Sequence, residues 1–471
     1  MAFETIPLEL LDEILTCYMS DGSMFEGQEK RLIATARLAL INRRTRALAL
    51  ARPDIWRTIY LQWPEAVVQE YFQRAKESHI SLYLDTFQKS SNLNALTINS
   101  NIQRWAHFLA SNMASFEHME LYIRSGACQA LSGPLTTPAP NLQTFSLTLG
   151  TGQLNCKLFS GVAPKLRSTR LDSCMTFELA PFVSLSTVTL RMHQQNCRKS
   201  LSNLNSNVLR LENVTLVGSD SVTDIPSPHQ PHSVILPFCR RFVVKDMAPV
   251  SVRRLMSTVS LPHLQTLRIH ETLDAPESLP IAASLSRILE LLETGFRVTP
   301  TSLSVEIHQH RVIVETDGMP SLRYDSDWHS VHGLFRRYDP RVPDTVIRMI
   351  TSILSVPGVR IGRLAVCDNI DPSVQDSDDP SALSTMGMNF LWFSVFRGFP
   401  DIETLEFSGH IRLPTMALDG AESLTLPRLT ALNVRNTITR HESELPIATL
   451  ERIKLKRKLK LWIESSNSEL P

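Results

Sequence analysis

The apolar positions along this chain follow two periods. In the first sixty residues they recur at helical spacing. Within Ile6 to Leu15 (IPLELLDEIL), Leu8, Leu11, Ile14 and Leu15 fall on one stripe of a helix. Thr5 is placed to cap that helix, Pro7 suits its first position, and Glu9 sits where the dipole favours a carboxylate. A second stretch, Leu38 to Trp56, spaces Leu38, Ile41, Leu48 and Trp56, with Arg43, Arg44 and Arg46 between them. A few short helices cannot bury this many leucines among themselves, so part of their apolar surface is expected to meet another body. The pattern then predicts a short strand at Thr58–Leu61, a helix over Ala66–Ser78 and a strand at Ile80–Leu84.

From Leu93 the period changes to apolar-x-x-apolar-x-apolar. The pattern is read at Leu93-Leu96-Ile98, Phe116-Met119-Leu121, Leu142-Phe145-Leu147, Leu166-Thr169-Leu171, Leu185-Val188-Leu190, Leu211-Val214-Leu216, Cys239-Phe242-Val244 and Leu264-Leu267-Ile269, at steps of 19 to 28 residues. It returns at Ile361-Leu364-Val366, Ile402-Leu405-Phe407, Leu429-Leu432-Val434 and Leu450-Ile453-Leu455. Two apolar residues two apart point to one side of a strand, and one strand cannot bury that side alone; stacked parallel neighbours can. Pro140, Pro164, Pro262, Pro400 and Pro427 each stand two residues before the first apolar position of a unit, where proline ends the preceding segment without costing a ladder bond. Between the two runs the pattern predicts a helix over Leu285–Phe296, a strand pair at Ser302–Ile307 and Arg311–Glu315, and a helix over Val346–Leu354. Polar loops are expected at Tyr324–Asp339 and Asp368–Asp379.

At its N-terminus the chain resembles an F-box. The residues that carry the likeness are Ile6-Pro7, Leu10-Leu11, Ile14-Leu15, Ile41-Asn42-Arg43, Arg46, Leu48, Pro53 and Trp56. Asn42 stands where cysteine is common and Thr45 where tryptophan is common, and Thr45→Trp is the change that restores the pattern. The strand-helix-strand link that follows resembles that of F-box proteins from mushroom-forming fungi, and the later units resemble leucine-rich repeats, whose usual spacing is about 20–29 residues. The resemblance implies an α/β fold: a helical F-box over residues 1–62, a linker over 63–90, and an irregular leucine-rich-repeat-like solenoid of parallel strands with helices or loops over 91–471, with an insert at about 275–358. It implies a Skp-type adaptor, and through it a cullin, as partners. The adaptor contacts would be Pro7, Leu8, Leu11, Ile14, Leu15, Leu38, Ile41, Leu48 and Trp56. The repeats would hold a protein target, making the chain the receptor subunit of an SCF-type ubiquitin ligase. The alternative is an interaction scaffold whose degenerate F-box supports no ligase.

Composition narrows the remaining classes. The chain has 471 residues, is 43% hydrophobic and 20% charged, and carries a net charge of +1, a globular balance with no global pull toward nucleic acid or an anionic membrane. Seven cysteines without a Cys-x-x-Cys pair argue against a disulfide framework and a zinc module, and suggest a reducing cytoplasm or nucleus. No apolar run is long enough for a membrane span, and no secretory signal is read. Asp325, Asp327, His329 and His332 form a candidate metal set, but their spacing fits no known motif and a polar surface loop is the simpler reading. Lys454–Lys460 (KLKRKLK) is read as the polar face of the last repeat element rather than a nuclear import signal. Nucleophile elbows, phosphate-binding loops and zinc-protease motifs are not found, so no catalytic, cofactor or metal residue is assigned and no enzyme activity is expected.

Overall fold

The computed structural model describes residues 6–20, 28–75, 78–86, 95–150, 154, 156–172, 177–193, 197–204, 210–218, 234–272, 298–308, 311–327, 360–368, 392–409, 412–420, 426–437 and 447–463. The protein is mixed α/β and forms two compact units, residues 1–191 with 202–210 and residues 192–201 with 211–471. The helices expected over Leu285–Phe296 and Val346–Leu354, and His329 and His332, lie outside the described residues.

Among the described residues the first unit opens with helices α1 (Leu8–Ser20), α2 (Gln28–Ile41), α3 (Arg43–Ala51) and α4 (Pro53–Trp56). Strand β1 (Thr58–Tyr60), helix α5 (Glu65–Ala75) and β2 (Ile80–Asp85) follow, then α6 (Ala95–Asn112), β3 (Phe116–Ile123) and α7 (Ser125–Ser132). Strands β4 (Thr144–Leu149), β5 (Ser168–Asp172) and β6 (Thr187–Met192) complete its sheet, which is parallel and runs β1 to β6 in chain order. The apolar triplets set the register: Leu121, Leu147, Leu171 and Leu190 lie side by side, as do Met119, Phe145, Thr169 and Val188. All eight are buried.

In the second unit the strands are β7 (Asn213–Gly218), β8 (Val234–Ile235), β9 (Arg241–Met247), β10 (Val259–Ser260), β11 (Thr266–Thr272), β12 (Ser302–His308), β13 (Arg311–Thr316), β14 (Ser321–Asp327), β15 (Arg363–Asp368), β16 (Thr404–Gly409), β17 (Ala431–Thr437) and β18 (Lys460–Ile463). Helix α8 (Pro249–Thr258) packs on β9 and β11; α9 (Arg412–Gly420) and α10 (Ile447–Arg457) pack together. The main sheet runs β7-β9-β11-β14-β13-β12-β15-β16-β17-β18, while β8 and β10 pair separately. The expected strand pair β12–β13 forms, and β14 adds to it as a meander, so β13 is antiparallel to both neighbours. Because the meander turns twice, β14 lies parallel to β11 and β12 parallel to β15, and the parallel stack resumes. Leu303, Leu364, Leu405, Leu432 and Leu461 then share one row, with Val305, Val366, Phe407, Val434 and Ile463 in the next.

The recurring prolines have a common geometry. The carbonyls of Ala139, Ala163, Leu236, Leu261, Phe399 and Leu426 each accept the N–H of the residue three on, at 3.1 to 3.4 Å. Pro140, Pro164, Pro237, Pro262, Pro400 and Pro427 each occupy the second position of that turn, where a fixed φ is an advantage. Each turn closes just before its strand and buries the triplet's first apolar residue.

Two triplets are not strands. Leu96 and Ile98 lie in α6, where Ile102, Trp105, Ala106 and Leu109 continue at helical spacing and are buried. Leu450 and Ile453 lie in α10. An apolar pair three apart suits a helix as well as a turn leading into a strand, and only the third residue distinguishes them. Leu455 is 75% exposed, on the helix's outer side, and the last strand is β18 instead. The KLKRKLK stretch is therefore the basic last turn of α10 leading into β18, with Lys454, Lys456 and Arg457 where the helix dipole favours cations.

One close approach shapes the second unit. A Cβ on Gly218 would sit 2.0 Å from the Asp246 carbonyl oxygen, so only glycine fits at the end of β7. Asp246 itself has φ 55° and forms a bulge, at which the pairing of β9 with β11 shifts between Ile269 and Glu271.

Candidate functional site

Two surfaces of the described residues are candidates: the N-terminal helices, and the polar faces of the two sheets.

In the helices, α1 separates its apolar side chains onto two faces. Leu11 and Leu15 point inward and are 1% and 2% exposed, whereas Leu8, Leu10 and Ile14 are about half exposed. Pro7 is exposed as well, and its carbonyl accepts the Leu11 N–H at 3.0 Å. Helix α2 repeats the division: Ala34 and Leu38 are buried, while Ile33, Leu40 and Ile41 are exposed. Leu48 on α3 is half-buried. Trp56 is buried: its Nε1 donates to the Ala49 carbonyl at 2.9 Å, its ring meets Tyr71 edge-on at 4.9 Å, and the Arg74 guanidinium lies 4.4 Å over it. Of the nine residues expected at this surface, then, Leu11, Leu15, Leu38 and Trp56 hold the helices together. Pro7, Leu8, Ile14 and Ile41 face outward, joined by Leu10, Ile33 and Leu40. The division was hidden from sequence because a helix buried on one side and apolar on two carries a stripe too wide to assign.

The junction of these helices is fixed by polar groups. Asn42 breaks the chain between α2 and α3 with an extended backbone (φ −161°, ψ 174°) and caps α3: its Oδ1 accepts the Thr45 N–H at 2.7 Å and the Thr45 hydroxyl at 2.9 Å. Thr45 is 1% exposed, so the site has no room for an indole. Thr45→Trp is therefore expected to overpack the junction and destabilise the unit by about 1–3 kcal/mol, read as a lowered Tm. That outcome reverses the expectation that tryptophan restores this position.

Arg52 clamps α1 onto the α3–α4 corner. It grips Asp54 through two hydrogen bonds (3.1 and 2.6 Å) and reaches Asp12 Oδ1 at 2.8 Å, the Asp12 carbonyl at 3.1 Å and the Thr16 hydroxyl at 2.9 Å. The hydrogen bond to Arg52 holds the Asp54 carboxyl below its ordinary value, and the same bond raises Arg52. A depressed carboxylate stabilises the fold at pH above its unfolded value, about 3.9, and loses that contribution as pH falls through the lower folded value. The Arg52–Asp54 corner is therefore expected to contribute its stability at pH 5 and to lose it below about pH 4, read as a Tm that falls over that range. In Asp54→Asn that pH-dependent part of the Tm is expected to be absent.

The sheets offer the second surface. In the first unit the residues alternating with the apolar rows are tyrosines, hydroxyls and a few charges. Tyr60 and Tyr83 stack at 5.0 Å, Tyr122 donates to Glu120 Oε1 at 2.7 Å, and Arg191 pairs with Asp172 at 2.9 Å. Burial raises the Tyr60 and Tyr83 phenols, which stay protonated donors. In the second unit the face is charged: Arg311 holds Asp325, Arg323 pairs with Glu315 at 2.5 Å, and Arg363 and Arg435 both approach Glu406. The strand-start pairs Gln143-Thr144, Gln265-Thr266 and Glu403-Thr404 open this face in both units, each at least partly exposed. Asp325 belongs to that charged face, with both carboxylate oxygens engaged by Arg311, an arrangement that does not offer them to a metal.

No model of a known protein family matches the chain. No curated protein is significantly similar to it. Among the described residues no helix is long and apolar enough to cross a membrane, and no group of three or more potential metal ligands comes together.

Proposed function

We propose that the chain is the substrate-recognition subunit of an SCF-type cullin-RING ubiquitin ligase. In this reading residues 1–62 are an F-box that docks on a Skp-type adaptor, and through it on a cullin. Residues 63–90 link it to a leucine-rich-repeat-like solenoid over 91–471, whose polar strand face holds a protein target. The chain performs no chemistry of its own. It raises the target's effective concentration beside the charged conjugating enzyme, in the cytoplasm or nucleus.

The observation that carries this reading is the second apolar face of α1 and α2. Leu8, Leu10, Ile14, Ile33, Leu40 and Ile41 stay exposed on helices whose inner faces are already packed, and Arg52 clamps α1 to the α3–α4 corner. Exposed apolar surface on a rigid module is what a docking partner covers. The cap formed by Asn42 and Thr45 accounts for the two departures from the F-box pattern: the residues act as a pair to start α3 rather than as contacts. The polar strand faces support the second half of the reading, because tyrosines and hydroxyls contact a partner at low entropic cost.

The test is reconstitution. Purified full-length protein is mixed with a Skp-type adaptor and then with cullin, and co-elution is followed. Binding at or below micromolar concentration supports the ligase reading. A protein that binds its cellular target but no adaptor at that concentration is a scaffold.

A further inference from the structure

Among the described residues, the cations on the polar face of the second unit are mostly matched: Arg311, Arg323, Arg363 and Arg435 each meet a carboxylate. Strands β9 and β11 carry a group of cations that are not. Arg240, Arg241, Lys245 and Arg268 are exposed, and none makes an ion pair or side-chain hydrogen bond among the described residues. The nearest carboxylates do not neutralise them. Asp246 is taken by His270 at 2.9 Å, Glu271 is fully buried, and Glu212 meets Arg240 only through the backbone.

The register sharpens this. Arg268 lies directly beside Arg323 of β14, and Val243, level with Arg268 on β9, is buried between Arg241 and Lys245 of its own strand. Glu315 already matches Arg323, so Arg268 beside that pair adds a positive charge that no carboxylate offsets among the described residues, and an anion lying over the cluster would offset it. Alternate residues on a strand stand about 6.6 Å apart, so Arg241 and Lys245, four residues apart, are separated by about two such steps, and Arg268, level with Val243 between them, stands at the intermediate step. Arg268, one strand over, supplies a third contact. The strand residues beside the cluster, Thr215, Val217, Val243 and Thr266, carry no ring, but exposed Phe238 precedes Arg240 and His270 follows Arg268, so single-stranded nucleic acid is an outcome that the test must separate.

We propose that this cluster docks an extended, carboxylate-rich segment of a protein partner, with Arg241, Lys245 and Arg268 contacting alternate Asp or Glu side chains. The inference rests on the reading that the strand face holds a protein target. It is independent of adaptor docking, which is measured separately on the N-terminal helices, so the failure of either is distinguishable from that of the other.

The experiment uses full-length protein and fluorescence anisotropy with four labelled probes. These are a peptide alternating Glu with Ser, the same peptide with Gln for Glu, a version with phosphoserine in place of Glu and Gln in place of Ser, and a single-stranded oligonucleotide of similar charge. The Glu peptide is expected to bind at least about tenfold more tightly than the Gln peptide and to weaken as salt rises. Arg241→Ala with Arg268→Ala is expected to remove that preference while leaving Tm unchanged or raised, since an exposed like-charge contact is lost. Arg241→Lys with Arg268→Lys is expected to retain most of it. Equal binding of Glu and Gln peptides overturns the proposal, as does binding of the phosphopeptide or oligonucleotide alone, or an intact preference in the double alanine variant.

Discussion

Leu267→Asp is expected to unfold the second unit. Leu267 is fully buried in β11, with Phe242 of β9 on one side and Leu322 of β14 on the other, and α8 packs over these strands. Removing a buried leucine costs about 2–5 kcal/mol through lost transfer energy and the cavity left behind. The aspartate adds an unpaired carboxylate in an apolar row, or the cost of protonating it at neutral pH, which raises the total further. Such a loss matches much of the whole stability of an ordinary domain, about 5–15 kcal/mol. Thr266→Asp provides the comparison one residue earlier. That side chain is half exposed and level with Arg241, so a carboxylate there is expected to be near neutral or slightly stabilising. Thermal melts of the two variants therefore read out the strand alternation directly. Equal melting of both would contradict the register of β11.

That register is legible in the sequence because it depends on period alone. A residue pair two apart, repeated at intervals near 25, leaves few ways to bury both members, and parallel stacking is one that works at every repeat. The prolines strengthened the reading for a reason the sequence did not disclose: each sets the second residue of a turn whose first residue, such as Ala139 or Phe399, supplies the accepting carbonyl and is itself buried. The pattern failed where its first two members, three apart, suited a helix equally well. At Leu96 the continuing helical period through Leu109 decided the outcome, and at Leu450 it was the outward-facing Leu455. The meander was half visible. Ser302–Ile307 and Arg311–Glu315 declared themselves as strands, but β14 (SLRYDSD) is polar on its exposed side and carries Asp325, whose burial depends on Arg311 of the neighbouring strand. No local pattern encodes such a pairing.

The N-terminal surface was legible as a set of residues and illegible as a division of labour. Amphipathic spacing identified Leu11, Leu15, Leu38 and Trp56 together with Leu8, Ile14 and Ile41, yet only packing tells the inner group from the outer one. Arg52 carries no sequence signal at all. Its role arises because the α3–α4 corner brings it within reach of Asp12 and Thr16, forty and thirty-six residues away. The unmatched cations of β9 and β11 were missed for a similar reason. Arg241 and Arg268 lie far apart in the chain, and they become neighbours only through the ladder.

The division of labour leads to the sharpest expected result. Leu10→Asp with Ile14→Asp should abolish adaptor capture and leave the fold intact. Both side chains are about half exposed on the outer face of α1, so their replacement removes no packing from the unit's core. A surface substitution away from caps and buried pairs usually changes stability by no more than about 0.5 kcal/mol. At an interface the same two leucine-sized groups act as anchors. Truncating one commonly costs about 1–3 kcal/mol, and placing a carboxylate there adds desolvation, so the pair is expected to weaken binding by at least roughly a hundredfold. The milder pair Pro7→Ala with Leu8→Ala tests the start of the same face and is expected to weaken capture by a smaller factor. Leu11→Ala is the converse experiment. It empties a buried site and is expected to destabilise the unit by about 2–5 kcal/mol, so any binding it loses follows the loss of fold. Measuring adaptor affinity and Tm on all three separates contact from support. If the double aspartate variant binds the adaptor as tightly as the unaltered chain, the outer face of α1 is not the docking surface, and the F-box reading of these helices fails with it.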